Sequence, residues 1–475
     1  MIDRGANSEY PYTKEDKDRL IGYEYYKMLF NGEHFSAFNL KIHSAAYGTD
    51  YAKLRYVVAN FAGLISKVCA DMLFSEPPTI KAEGNQDFVD AFVKANKLNM
   101  QNYESALQNS FYGDAVYKLR IAPKNPKDKE STIILEDNTP VVYFPKLQND
   151  NVRAEPEYKE LSFKIMINGE SYLRKEIHEI GLIRNELWLM EGGIIKYQVP
   201  LTHLGENAPT DEQQTGVDRW LVEHIPNWKV GERVFGYSDY YDLGSLFYAV
   251  NNRFTKIDNI LDTHSDPILA LPEGVLDEKG QVRREKFKMF EMPPSVGGET
   301  PQKPEYVVWD ASLASAFDEI DHLVDMMYMI SEISPDVLGM GKGANDSGRA
   351  LKLKLLRTIA KVKRKKLYYD QALKDVLRTA QELSVNGGYK VEGILSNAPV
   401  DVQIVWQDGL PEDLGEAINN EVKRKDAGLT TTKDSIIRLD GLDDAQAEAK
   451  AKEIDDQQKI NMPVPKIMPN PIKAV

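Results

Sequence analysis

Cysteine is all but missing from this chain. The single Cys69 excludes an intramolecular disulfide and any cysteine-based zinc site within one chain, which fits a reducing origin. Long apolar runs are missing as well. The longest uncharged helical-looking stretch, 56–66, falls short of the roughly 20 residues a bilayer span needs. The first twenty residues, MIDRGANSEYPYTKEDKDRL, have no apolar targeting segment, and neither end carries a lipid-anchor signature. The expectation is a soluble chain without a membrane partner. A basic excess is absent too: 59 Lys+Arg against 73 Asp+Glu leaves a net charge of −14. That sign argues against a tight, sequence-reading nucleic-acid binder, whose affinity needs a basic footprint. Weak contact with DNA remains compatible with it.

The motifs of catalysis are missing in the same way. The pattern G-x-x-x-x-G-K-[ST] occurs nowhere, and Gly341-Lys342-Gly343 lacks the Ser/Thr that would hold Mg²⁺. Gly339-x-Gly341 has Ala344 at the third glycine of a dinucleotide loop and no βαβ unit around it, so a connecting loop is the better reading. The seven histidines are scattered without an H-x-x-x-H pair, and there is no G-x-S-x-G. The expectation is a protein with no catalytic residues, no metal and no cofactor. A nucleic-acid-processing enzyme, such as a nuclease or a terminase-like ATPase, is the alternative from another class.

What the chain does have is material for a core. Its 42% hydrophobic content rules out disorder as the dominant state, and 475 residues allow about three domains. The N-terminal part to about Ala52 reads as aromatic-rich short helices. A helical stripe follows from Leu54 to Phe74, ended by Pro77-Pro78, with further helices at Phe88–Ala95 and Tyr103–Tyr112. From Ala115 to Ile225 the period changes to two, with Asn168-Gly169 and Gly192-Gly193 as hairpin turns. Thr202–Gly216 is nearly devoid of apolar residues and predicts a mobile loop. Ser238 or Asp239 can cap a helix running to about His264. A small αβ segment with a basic patch comes next, then a helix from about Ala311 to Ile333. A third helix is predicted from Ser347 to Leu383, stopped by Asn386-Gly387-Gly388, then a strand at 400–406 and three C-terminal helices. The last fifteen residues are Pro-rich and predicted disordered.

Two charge patterns bear on function. Asp318, Asp321, Asp325 and Glu332 recur at three-, four- and seven-residue spacing and predict one acidic line along a helix. That line is either a solvated face or a wall that keeps a polyanion from sticking. The helix from Ser347 carries nine bases and no acid between Arg349 and Lys366. Its residues Arg349, Lys352, Arg357, Lys361 and Arg364 suit acidic surfaces of neighbouring subunits or DNA phosphates.

Four segments then carry a resemblance. They are LRYVVANFAGLISKVCADMLFSEPP (54–78), VFGYSDYYDLGSLFYAVNNRFTKIDNILDTHSDPILALPEG (234–274), MGKGANDSGRALKLKLLRTIAKVKRKKLYYDQALKDVL (340–377) and VDVQIVWQDGLPED (400–413). Their order and spacing over about residues 50–440 resemble the portal (head-to-tail connector) proteins of tailed bacteriophages, siphovirus type. The resemblance implies an α+β ring subunit with long stem helices, an α/β wing, a small αβ clip and a helical crown. It places the wing at 1–238 and 349–410, stem helices at 239–266 and 311–334, and the clip at 267–310. The tunnel loop falls at 335–348, the crown at 411–459 and a disordered tail at 460–475. In that frame Asp318, Asp321, Asp325 and Glu332 line the tunnel, Gly339, Gly341, Lys342, Gly343, Asn345 and Asp346 form the tunnel loop, and Arg283, Arg284 and Lys286 meet partners at the clip.

The implied function is a closed, typically twelve-subunit homo-oligomer at one capsid vertex of the virion, assembled in the host cytoplasm. Double-stranded DNA would be packaged and ejected through it. The implied partners are terminase, then the head-tail adaptor protein, with major capsid and scaffolding proteins around the ring.

Overall fold

The period-3.6 stripes become helices whose ends are set by capping chemistry rather than by the apolar pattern. Helix α1 (Lys14–Phe30) opens at Thr13, whose hydroxyl accepts the Asp16 N–H at 2.9 Å. Within the stretch read as short helices it is followed by one more turn of helix at His34–Ala37. Helix α2 (Phe61–Phe74) starts at Asn60, whose side-chain oxygen takes the Gly63 N–H at 2.8 Å, so of the stripe predicted as helical the described residues 56–60 lie outside the helix. Ala62, Ser66, Cys69 and Ala70 are buried together with Ile65, Val68 and Met72. A helix buried on nearly every side is a central one.

The computed structural model describes residues 4–40, 56–123, 130–148, 151, 154–206, 208–264, 268–272, 289–292, 305–307, 313–338, 340, 348–397, 401–407, 414–442 and 444–460. After α2 come β1 (Thr79–Ala82), α3 (Gln86–Ala95) and α4 (Leu98–Tyr112). The period-two region holds β2 (Asp114–Pro123), β3 (Ser131–Asn138), β4 (Tyr143–Lys146), β5 (Tyr158–Ile167) and β6 (Glu170–Glu179). It continues through β7 (Leu182–Glu191), β8 (Ile194–Val199), β9 (Glu212–Gln214) and β10 (Val222–Pro226). These strands form an antiparallel three-stranded sheet, β10-β2-β3, and an antiparallel sheet in the order β4-β5-β6-β7-β8 with β9 paired to β7.

Both predicted hairpin turns are present. Asn168 and Gly169 have φ of 53° and 86°, and Gly192 and Gly193 have φ of 57° and 82°, the paired left-handed conformations of a type I′ turn. The stretch predicted as a loop at 202–216 is more ordered than its composition suggests. It carries the end of a 3₁₀ turn, Leu201–Leu204, and strand β9, whose backbone pairs with Leu182–Arg184. Hydrogen bonding of the backbone to a sheet edge does not require apolar side chains.

Helix α5 (Gly244–His264) begins later than the 239 expected. Ser238 does cap locally, but its hydroxyl takes the Tyr240 N–H at 3.0 Å within a turn, not a helix. Strands β11 (Ile268–Pro272), β12 (Met289–Met292) and β13 (Glu305–Val307) follow as a small sheet, β12-β11-β13. Then come α6 (Ala314–Ser331), α7 (Gly348–Lys354), α8 (Leu356–Gly387) and β14 (Val402–Val405). The long helix predicted from Ser347 is thus interrupted at Leu355, and it ends with Gly388 at φ 71°. Strand β14 pairs with β1, Thr79 opposite Val405, a partner that the sequence reading left unassigned.

The chain divides into two compact units, Met1–Gly409 and Leu410–Val475. The second holds α9 (Leu414–Asp426), α10 (Thr432–Asp440) and α11 (Asp444–Ile460), with a Thr431/Asp434 capping box opening α10. The mixture is α+β, as expected. In the first unit one core cluster, Tyr10, Phe144, Leu173, Met190 and Ile195, ties the N-terminal segment to the larger sheet. Another, Val116, Tyr143, Leu161 and Val222, joins the two antiparallel sheets.

Candidate functional site

On α6 the residues Asp318, Asp321 and Asp325 are all exposed. At about 100° per residue they fall within an arc of about 60°, with no base among them. Glu332 would extend this line only if the helix continued. It does not: α6 ends at Ser331, and Glu332 adopts a left-handed backbone (φ 59°) that turns the chain away. Its carboxylate then receives Arg357 Nη2 at 3.2 Å and Arg364 Nη2. The expected four-member stripe is therefore a three-member one, and Glu332 is a clamp to α8. With Arg357 78% exposed and Arg364 53% exposed, this clamp orients groups more than it stabilises the fold.

The basic helix needs a larger correction. Lys361, expected on the surface, is buried, as is Lys365. Both lie on the inward line of α8 with Thr358, Val362, Tyr369 and Leu373. Both reach one carboxylate: Lys361 Nζ sits 3.0 Å from Asp239 Oδ1, and Lys365 Nζ 2.8 Å from Asp239 Oδ2. Asp239 also accepts from Ser110 Oγ at 2.7 Å and from Asn227 Nδ2 at 3.0 Å. Burial by itself would push the Asp239 carboxyl up, but Lys361 and Lys365 hold it well below the usual carboxylate range. Burial likewise works to lower Lys361, and the facing Asp239 carries it above its ordinary value.

This node ties four elements together. Lys361 Nζ donates to Ser331 O at 2.8 Å, anchoring the end of α6. Thr358 Oγ1 accepts the Ser334 N–H at 2.8 Å and donates to Glu332 O at 3.0 Å, which fixes the bend after α6. Sequence reasoning missed the node because Asp239 read as a helix cap. The signal was available: Lys361 and Lys365 are four apart on the same face as Val362 and Tyr369, and a buried ammonium requires a partner.

A second buried carboxylate positions the approach to α5. Asp114 accepts Tyr23 Oη at 2.6 Å and the Gly236 N–H at 2.8 Å, and lies 2.7 Å from His224 Nε2. The backbones of Gly113 and Gly236 pass so close that a Cβ on Gly113 would stand 2.6 Å from Ser238 N. Above the Asp239 node opens a cleft of about 610 Å³ whose lining mixes Trp228, Tyr241, Leu367 and Tyr368 with the charged Lys229, Asp242, Glu332 and Arg364.

Of the other expected site residues, Arg283, Arg284, Lys286, Gly339, Gly341, Lys342, Gly343, Asn345 and Asp346 lie outside the described residues, as does the side chain of Arg349. Lys352 is exposed. Among the described residues no group of three or more His, Cys, Asp or Glu side chains is placed to hold a metal ion, and no helix is long and apolar enough to cross a membrane.

No curated protein matches the sequence. Among solved structures the chain is similar to one in the neck of an empty GTA particle computed with C6 symmetry, at 11% identity and a TM-score of 0.42, covering 84% of this chain and 95% of that one. The family model described as "Phage portal protein, SPP1 Gp6-like" matches residues 11–460, nearly the whole sequence, and the chain therefore belongs to that family of phage portal proteins.

Proposed function

We propose that copies of this portal protein close into a ring at one vertex of the capsid, through which double-stranded DNA passes on packaging and ejection. The observation that carries the DNA path is the arc of Asp318, Asp321 and Asp325 on α6. Duplex DNA carries one negative charge per about 1.7 Å of axis. A wall of like charge repels the duplex evenly and offers no strong position-specific contact, so the DNA slides. The chain's net charge of −14, repeated in every copy, adds to this. The role is structural, and no observation favours a nucleic-acid-processing enzyme.

In this reading α5 and α6 form the stem. They are tied by Arg253 and Glu319 at 2.8 Å, and the small sheet β12-β11-β13 is carried between them in sequence as the clip at 267–310. Residues 335–348 form the tunnel loop, 1–238 and 349–410 the wing, 411–459 the crown and 460–475 a tail. Arg283, Arg284 and Lys286 meet terminase and later the adaptor protein at the clip, and capsid and scaffolding proteins surround the wing. Mass measurement with negative-stain microscopy tests the assembly: rings, twelve-membered in the form typical of portals, are expected. A monomer or dimer at micromolar concentration under every salt condition would overturn the reading. Replacing Asp318, Asp321 and Asp325 together by Lys is expected to leave rings intact and lower packaging. Unchanged packaging would make the stripe a solvated face only.

A further inference from the structure

Helix α1 carries a glycine midway along its length that the packing does not ask for. Gly22 lies in the middle of Lys14–Phe30, where glycine is less favourable than alanine. Crowding would explain it, but among the described residues a Cβ at Gly22 would meet nothing nearer than the Tyr26 ring at 4.0 Å. Gly22 instead lines a cleft of about 630 Å³ between α1 and the segment 233–241.

The walls of this cleft include Tyr26, Tyr112, Phe235, Tyr237 and Tyr241. Its charged lining is three carboxylates of α1, Glu15, Asp16 and Asp18, against Arg19 and Arg233. Asp16 is taken up by Arg19 at 3.2 Å, and Arg19 also donates to the carbonyls of Pro140 and Tyr143, each at 3.1 Å. Glu15 and Asp18 are exposed, three residues apart on one face of the helix, and have no ion-pair partner among the described residues. Two rings of the cleft already carry a guanidinium of this chain: Arg19 lies 4.0 Å from the centre of Phe235 and Arg233 4.0 Å from that of Tyr237. Tyr26 and Tyr241, the latter 54% exposed, carry none among the described residues.

We infer that this cleft docks a lysine- or arginine-bearing segment of another protein, with the cation set against Glu15 and Asp18 and the adjoining apolar part of the segment over Gly22. Every residue of the cleft belongs to one copy, so the inference does not depend on ring closure. A cation gains from carboxylates and from aromatic faces alike, and the apolar stem of a long basic side chain suits a tyrosine wall. The sign of the two unpaired carboxylates turns duplex DNA away. A second copy is a poor complement as well, because it brings its own net charge of −14; a basic segment of a different protein matches.

The test measures binding of two short synthetic peptides to the full chain by calorimetry at about 0.15 M salt. One alternates lysine with proline, the other glutamate with proline, and the lysine peptide is expected to bind at least tenfold more tightly. Gly22→Leu fills the cleft and changes no charge. It is expected to weaken the lysine peptide at least tenfold while the thermal midpoint stays or rises, because leucine suits a helix better than glycine. Glu15→Lys with Asp18→Lys is expected to abolish the binding, and Asp318→Lys with Asp321→Lys, the same change of charge on α6, to leave it unchanged. No binding of the lysine peptide, binding unaffected by Gly22→Leu, or an equal loss with either lysine pair would overturn the site and leave the portal reading standing. In assembled particles a photo-crosslinking p-benzoylphenylalanine at position 241 is expected to join a lysine- or arginine-bearing peptide of another protein. Crosslinks made only to another copy of this chain, or none, would overturn the occupant.

Discussion

Replacing Asp239 by Asn removes one charge and almost no volume from the node that joins α8 to the approach of α5. The loss follows from the geometry. The Asp239 side chain is 1% exposed, those of Lys361 and Lys365 are 9% and 2% exposed, and the two contacts are 3.0 and 2.8 Å. Two ammonium groups would remain in a site that water barely reaches, without their counter-charge. Breaking a buried ion pair from one side costs about 3–5 kcal/mol. For a cooperative unit of the size of Met1–Gly409, an unfolding entropy of about 2.1 cal/mol/K per residue converts this to a drop of about 4–6 °C. Differential scanning calorimetry of the two chains measures it.

The pH profile supplies a second readout of the same group. Because Asp239 is held below the usual carboxylate range in the folded chain, its contribution is present above the unfolded value of about 3.9 and is lost as pH falls toward the folded one. The gap between the parent and Asp239→Asn should be constant from about pH 5 to 8 and narrow below about pH 4. Replacing all three charges with apolar side chains, Asp239→Leu with Lys361→Met and Lys365→Met, should recover most of the loss, since a buried charge cluster and a packed apolar one are often equivalent. A difference for Asp239→Asn below about 1 kcal/mol at pH 7 would refute the reasoning, because the lysines would then not depend on this carboxylate.

Two further outcomes are expected of the same unit. Asp137 is pushed up to about 8 by burial, against a Gln108 hydrogen bond at 2.7 Å that favours the charged form, and its Oδ1 is buried with no donor among the described residues. A raised carboxyl stabilises the fold fully below the unfolded value and loses that contribution as pH climbs toward 8, at up to about 1.4 kcal/mol per pH unit. Asp137→Asn should therefore raise stability at pH 8 far more than at pH 5 in urea titrations, and an equal effect at both would contradict the assignment. Gly113→Ala places a Cβ 2.6 Å from Ser238 N at a φ of 92°, a position that costs a non-glycine residue about 1–3 kcal/mol in backbone strain before the clash is counted. A soluble Gly113→Ala chain with an unchanged midpoint would show that the two backbones can separate freely.

The sequence by itself determined the features that depend on neighbours along the chain. Asn168-Gly169 and Gly192-Gly193 force type I′ turns because left-handed backbone is cheap there. Gly388 closes α8 for the same steric reason. The spacing of Asp318, Asp321 and Asp325 placed them on one arc because helical periodicity needs no tertiary information. The order of four segments was enough to point to the portal family.

Tertiary structure decided everything that depends on residues far apart in sequence. Lys361 and Arg364 look alike in a basic run, yet one is buried against Asp239 and the other is exposed beside Glu332. Which lysine goes inside is set by where a carboxylate from another element is already buried. Glu332 left the acidic stripe because one left-handed residue ended the helix. Strand β1 needed β14, more than three hundred residues away, before its backbone had a ladder to join. Local sterics are written in short windows; the pairing of buried charge and unpaired backbone is settled only when distant segments meet.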